Sequence, residues 1–161
     1  MFQECCILLL DHTATVNADD CENCLIVLGP CKGSVFIRDC KNSTVFTVCQ
    51  QFRSRDCVNI DVFLFCTTRP SIESSKQMRF RSLALSYEKL EGFKSLLSYS
   101  NRFHFNNATF TEHMLKASFS PFNNNWNKVY DFTPDESLPN FEICSTVSDL
   151  LRSAQEPLGV Q

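Results

Sequence analysis

The tetrapeptide Asp20-Cys21-Glu22-Asn23 recurs as Asp39-Cys40-Lys41-Asn42 and again as Asp56-Cys57-Val58-Asn59, at intervals of 19 and 17 residues. A second cysteine series, Cys31, Cys49 and Cys66, keeps nearly the same period, with intervals of 18 and 17. Two independent series on one period restrict the fold strongly, because a unit this short cannot bury its own apolar side and must stack on copies of itself. Apolar runs lie between the markers: Ile7 to Leu10, Leu25 to Leu28, Val45 to Val48 and Val62 to Phe65. Short β-branched and aromatic runs bounded by small turn residues fit coils of two or three strands each. A leucine-rich repeat has a longer typical period and needs a leucine pattern absent here. The expectation is an all-β chain, a right-handed parallel β-helix, since parallel crossovers are almost always right-handed.

Strand alternation assigns the two sides of each coil. Aligning the markers puts Val16, Val35 and Phe52 in one inward column and Ala18, Ile37 and Ser54 in another. Side chains alternate along a strand, so Asn17, Phe36 and Arg53 point outward, as do Asp19, Arg38 and Arg55. In the next coil the marker is missing, and the alignment takes Ile72 and Ser74 as inward and Glu73 as outward. That places Glu73 beside Arg53. Stacked coils turn the cysteines into inward ladders of small hydrophobes.

Beyond about residue 80 the repeat fades. Tyr87 to Tyr99 reads as a helix or an irregular extended segment, and Thr111 to Ala117 as a short helix capped by Thr111. Pro121 to Pro134, rich in Asn and aromatics, reads as a packed loop rather than a strand. One amphipathic stretch, Thr146 to Ala154, precedes a Pro/Gly tail expected to be loose. The domain is therefore expected over 1–134, with an insertion near 89–121, followed by a less regular, partly flexible C-terminal extension over 135–161.

Composition removes several functions. Fifteen Lys and Arg against eighteen Asp and Glu give a net charge of −3, which offers no basic field for nucleic acid. The run Ile7 to Leu10 gives way at once to Asp11 and His12. It is too short for a membrane span and lacks the basic flank of a signal peptide. A cytoplasmic chain is the expectation, and Phe2 does not fit N-myristoylation. Ten cysteines would suggest disulfides in a secreted chain, but the ladders account for them better.

Few residues carry a recognisable chemistry. Cys21-Glu22-Asn23-Cys24 is a single CxxC without a second pair at zinc spacing, and Cys5-Cys6 is an adjacent pair read as structural; no metal site is expected. His12, His104 and His113 lie outside any nucleophile motif. Gly29-Pro30-Cys31-Lys32-Gly33 lacks the Lys-Ser/Thr ending of a phosphate loop and reads as a coil corner. The strand Gln50-Gln51-Phe52-Arg53-Ser54-Arg55-Asp56 is different. Gln51 and Arg53 share its outer face with Phe52 anchored between them, which suits action on phosphate charge in a partner. A solvated polar face, with the arginine paired to Glu73 or Asp19, accounts for the same residues on their own.

Asp11-His12-Thr13-Ala14-Thr15-Val16, Gly29-Pro30-x-Lys32-Gly33-Ser34-Val35-Phe36, Cys49-Gln50-Gln51-Phe52-Arg53-x-Arg55-Asp56-Cys57 and Asp131-Phe132-Thr133-Pro134 together resemble the C-CAP/TBCC domain family. The resemblance covers most of residues 3 to 80 and a second block at Phe122 to Pro134. It implies a GTPase-activating protein for an Arf-like small GTPase in its GTP state. Gln51-Phe52-Arg53 matches the family's Gln-x-Arg motif, so Arg53 would be an arginine finger acting in trans, with Gln51 positioning it. Glu73 matches an acidic residue at the GTPase interface and Phe132 an aromatic residue that docks on the partner. Gln50 and Arg55, flanking the motif, are expected to contact the partner too. The chain would need no cofactor of its own, because GTP and Mg²⁺ are bound to the partner. In the family the activity resets release of lipidated cargo at the cilium, and membrane attachment is expected only through an acylated N-terminus of the family's kind, which Phe2 does not match. Two further functions stay open: a non-catalytic GTPase-binding scaffold, and a cofactor acting on tubulin.

Overall fold

The computed structural model describes residues 1–83, 119–120 and 123–144. The segments expected to be helical or amphipathic (87–99, 111–117 and 146–154), His104 and His113, and most of the insertion near 89–121 lie outside the described residues.

Among the described residues, ten strands wind through five coils and an eleventh begins a further one. Strands β1 (Phe2–Gln3), β2 (Cys6–Leu9) and β3 (Val16–Asp19) form the first coil; β4 (Cys21–Glu22) and β5 (Leu25–Arg38) form the second. The third is one long strand, β6 (Lys41–Arg55); β7 (Val58–Cys66) and β8 (Ser71–Glu73) form the fourth, and β9 (Lys76–Ser82) with β10 (Tyr130–Asp131) the fifth. Every pairing is parallel, and each strand hydrogen-bonds to its counterpart one coil away. The expected β-helix is what forms. Strand pairing also continues past residue 134, because β11 (Phe141–Cys144) adds to β9 through Phe141↔Met78 and Ile143↔Phe80. The block before it is not all loop: Tyr130–Asp131 pairs with Ser71 and Ile72.

The marker tetrapeptide is the corner. Its Asp and Asn both take the left-handed conformation: φ is 56° and 54° at Asp20 and Asn23, 53° and 48° at Asp39 and Asn42, 52° and 57° at Asp56 and Asn59. Asp and Asn accept that conformation better than other non-glycine residues, since their short polar side chains bond locally. Two such turns around a two-residue step swing the chain into the next strand. In the fifth coil Ser74 and Gln77 take these two places, at 47° and 54°. The corner therefore survives where its preferred residues do not.

This displaced corner corrects the alignment made from sequence. Ser75, fully buried, occupies the cysteine place after Cys21, Cys40 and Cys57. In each coil the group there donates to the carbonyl two residues back: Cys40 to Arg38 at 3.3 Å, Cys57 to Arg55 at 3.3 Å, Ser75 to Glu73 at 3.0 Å. Ile72 is inward as expected, but it lies against Ser54, with buried Pro70 following Phe52. Ser74 is exposed, and Glu73 pairs with Arg55 rather than Arg53. The expected register was slipped by two residues.

The core is the stacked columns. Cys31, Cys49 and Cys66 are fully buried and in register, with 4.0 Å between the sulfurs of Cys49 and Cys66. A further column starts with Cys5, Cys24 and Ser43, each donating to the carbonyl two residues back. Burial pushes the Cys21 thiol up to about 12 and the Cys49 thiol well above its ordinary value. These sulfurs act as packing groups rather than nucleophiles. Phe52 and Phe80, both fully buried, meet edge to face with centroids 6.0 Å apart and fill the axis beneath β6.

The glycine-bearing stretch runs inside β5, where the pairing with β6 shifts register between Leu28 and Ser34. Neither glycine has positive φ. They are required by close approach instead, since a Cβ on Gly33 would lie 2.4 Å from the Ala14 carbonyl oxygen and one on Gly29 2.5 Å from that of Leu10.

Candidate functional site

Outward residues of β3, β5, β6, β8 and β10 form a surface grid with one coil per row. Its central column runs Asn17, Phe36, Arg53, Ser71, Tyr130; the next runs Asp19, Arg38, Arg55, Glu73, and ends beside Phe132. A third column pairs Ser34 with Gln51. The grid is firm because alternate residues of the same strands are the core: Val35, Ile37, Phe52 and Ile72 are all fully buried.

The three arginines on β5 and β6 differ. Arg38 bonds Asp19 at 2.8 Å, and Arg55 lies 3.3 Å from Asp56. Arg53 is exposed and makes no ion pair among the described residues; its guanidinium rests 5.6 Å from the centre of the Phe36 ring. Asp19, considered from sequence as a partner for Arg53, is taken by Arg38. Glu73, the other candidate, stands beside Arg55. An aromatic face supports a guanidinium without using its donors in directional bonds. The charge of Arg53 is thus held in place and left available.

Gln51 is exposed, and its Oε1 accepts a bond from the Ser34 hydroxyl at 2.9 Å. This fixes the amide and leaves its NH₂ donors without a partner among the described residues. Gln50 sits at the bend with its side chain exposed. Its carbonyl accepts from the Thr68 amide at 3.0 Å and the Thr68 hydroxyl at 2.8 Å, which ties the start of the Gln51–Arg53 segment to the next coil.

Phe132 is 59% exposed at the tip of a tight loop. The Asp131 carboxylate accepts from the Thr133 amide at 2.8 Å, an Asx turn, while the Thr133 hydroxyl accepts from the Ser74 amide at 2.6 Å. Asn140, buried, donates to both Asp131 and the Thr133 carbonyl at 2.8 Å. The Phe132 amide bonds the Ile72 carbonyl at 2.9 Å. The Asp-Phe-Thr sequence therefore exposes the ring by fixing the residues on either side of it. Sequence reasoning missed Tyr130, whose ring meets that of Phe132 edge to face at 4.7 Å, and Arg69, which lies over Tyr130. It also missed the supporting roles of Ser34 and Phe36. The outward alternation could have found Phe36, but long-range pairing alone brings residues 69 and 130 together.

Cys21 and Cys24 stand in separate columns, and each thiol is committed to a backbone carbonyl. Among the described residues no cluster of His, Cys, Asp or Glu has the arrangement of a metal site. No helix among them is long and apolar enough to cross a membrane.

Residues 1–102 match the family model described as "Tubulin binding cofactor C". The chain belongs to that family. It is 45% identical over 141 residues to Protein XRP2 of Danio rerio and 42% identical over 132 residues to Protein XRP2 of Homo sapiens; these alignments take in 88% and 82% of this chain. Similarity to the Tubulin-specific chaperone C of Homo sapiens is lower, 26% over 143 residues and 86% of the chain. In each case the alignment covers only about a third of the relative, 32% of both XRP2 proteins and 35% of the chaperone. The solved Tubulin Binding Cofactor C from Leishmania major superposes with a TM-score of 0.66 at 24% identity, covering 88% of this chain and 84% of that one. This likeness bears on the fold alone.

Proposed function

We propose that this chain is a GTPase-activating protein for an Arf-like small GTPase and supplies Arg53 as an arginine finger in trans. The observation that carries the proposal is the state of Arg53: an exposed guanidinium on a rigid strand, backed by Phe36, beside two arginines that are already paired. Membership of the tubulin binding cofactor C family and similarity to XRP2 support it.

The chemistry asked of this chain is limited. The GTP, its Mg²⁺ and the attacking water belong to the partner. A guanidinium entering that site stabilises charge as it spreads onto the γ-phosphoryl oxygens, an effect of about 10³- to 10⁵-fold in rate. Arg53 needs little reorganisation to do so, because Phe52 below and Phe36 beside it fix where its stem begins. Gln51, its Oε1 engaged by Ser34, offers its NH₂ to a partner loop or to the bound nucleotide. Glu73, Arg55, Gln50 and Phe132 surround the finger and dock the partner. The proposed setting is the cytoplasm near the ciliary base, with hydrolysis resetting release of lipidated cargo.

Tubulin is the second partner to test, because the family model and the chaperone relatives carry that name. The test is single-turnover GTP hydrolysis by an Arf-like GTPase with and without this chain, with Arg53→Ala as control and β-tubulin in a parallel arm. Strong stimulation of the small GTPase, lost in Arg53→Ala, is expected. Stimulation in the tubulin arm alone would move the activity to that partner. GTP-dependent binding without stimulation would make the chain a scaffold.

A further inference from the structure

Arg69 is one of the grid's cations that sequence reasoning assigned no role. It lies two residues before Ser71, which pairs with Arg53, and is separated from it by buried Pro70; Arg69 and Ser71 therefore share the outward face. It makes no ion pair among the described residues, yet two contacts hold it. Its Nε donates to the Lys128 carbonyl at 2.9 Å, and its guanidinium lies 4.7 Å from the centre of the Tyr130 ring. Tyr130 in turn meets Phe132 at 4.7 Å with the rings 85° apart. The result is a continuous run of contacts from Arg69 through Tyr130 to Phe132. Its rings are 42% and 59% exposed, so the aromatic pair is displayed rather than buried.

We infer that Arg69 is a positioning residue: it pins Tyr130 so that Tyr130 and Phe132 stand as one rigid aromatic ridge on the face of Arg53, two coils from it, and it thereby sets how tightly the partner GTPase binds without entering the hydrolytic step. This inference rests on the proposed function. Two aromatic rings presented in a fixed orientation bind with less loss of side-chain freedom than two rings that must be ordered on contact. Arginine suits the task, because its planar fork can donate along its edge to Lys128 while its face covers the ring. A lysine can do one or the other.

The test uses the whole chain and an Arf-like GTPase loaded with a non-hydrolysable GTP analogue. Arg69→Ala removes one exposed cation–π contact and one hydrogen bond, for which a roughly 5- to 30-fold weaker complex is expected. The hydrolysis rate at saturating chain should stay within about twofold of wild type, in contrast to Arg53→Ala. Arg69→Lys should recover part of the affinity. Tyr130→Leu should weaken binding as well, and adding Arg69→Ala to it should cost little more, because the cation would have no ring left to pin. In the free chain, Arg69→Ala should speed amide hydrogen exchange at Tyr130 and Phe132 while leaving the melting temperature unchanged. Unchanged affinity in Arg69→Ala, full additivity with Tyr130→Leu, or unaltered exchange would each overturn the inference. A fall in the saturating rate would overturn it too, by making Arg69 a catalytic residue. Failure of the proposed function itself would show separately, as a wild-type chain that neither binds nor stimulates the GTPase.

Discussion

Replacing Asp61 by Asn isolates a charged cluster built into the frame. Asp61 on β7 accepts from Arg79 at 2.9 Å and 2.7 Å and from Arg81 at 3.4 Å and 3.3 Å. The Arg81 side chain is 6% exposed and that of Asp61 20%, so the shared carboxylate is the counter-charge of a buried cation. Burial alone would raise the Asp61 pKa; the Arg79 hydrogen bonds and charge, with Arg81 behind them, outweigh it and hold the carboxyl below its ordinary value. Asp61→Asn keeps the shape and removes the charge. Leaving a buried arginine without its anion costs about 3–5 kcal/mol. Guanidinium unfolding at pH 7 should show this as a lower midpoint at unchanged slope. The cost should also depend on pH. A carboxyl depressed in the folded state stabilises above its unfolded pKa, and that contribution fades as pH falls through the folded value. The gap between wild type and Asp61→Asn should therefore be full at neutral pH and narrow below about pH 4. A loss under about 1 kcal/mol at pH 7, or a gap that does not narrow in acid, would refute the assignment of Asp61 as the neutralising group.

Other consequences can be checked alongside it. Gln77→Gly, at φ 54°, should stabilise the chain by about 0.5–1 kcal/mol in thermal or chemical unfolding, since glycine takes this conformation without strain; a loss of stability would contradict the corner geometry. Gly33→Ala should destabilise by about 1–3 kcal/mol, because its methyl meets backbone rather than a movable side chain; a neutral result in the same assay would deny the close approach. In native protein a thiol reagent should modify exposed Cys6 quickly, while Cys31, Cys40, Cys49, Cys57 and Cys66 react only on unfolding. Phe132→Ala should weaken partner binding in a titration with melting temperature unchanged, because the ring packs on the surface. Cys40→Asp should prevent folding, as judged by circular dichroism, because it places a charge at a site 1% exposed.

The sequence by itself determined the coil and much of its outer face. A marker of Asp, Cys and Asn repeats because each coil needs two left-handed residues around one small inward group, and these are chemical requirements that leave the same letters each time. Alternation then fixed which side of β6 carries Gln51 and Arg53, since a strand has only two sides. Where the marker vanished, the tertiary structure decided. Ser74, Ser75 and Gln77 perform the corner without its usual residues, because backbone bonds to the preceding coil impose the conformation; the register of Glu73, and hence its place beside Arg55, follows from them. The ridge of Arg69, Tyr130 and Phe132, and the two arginines on Asp61, join residues from different coils. No local pattern records such contacts, because what brings them together is the stacking of coils and not the order of residues within one.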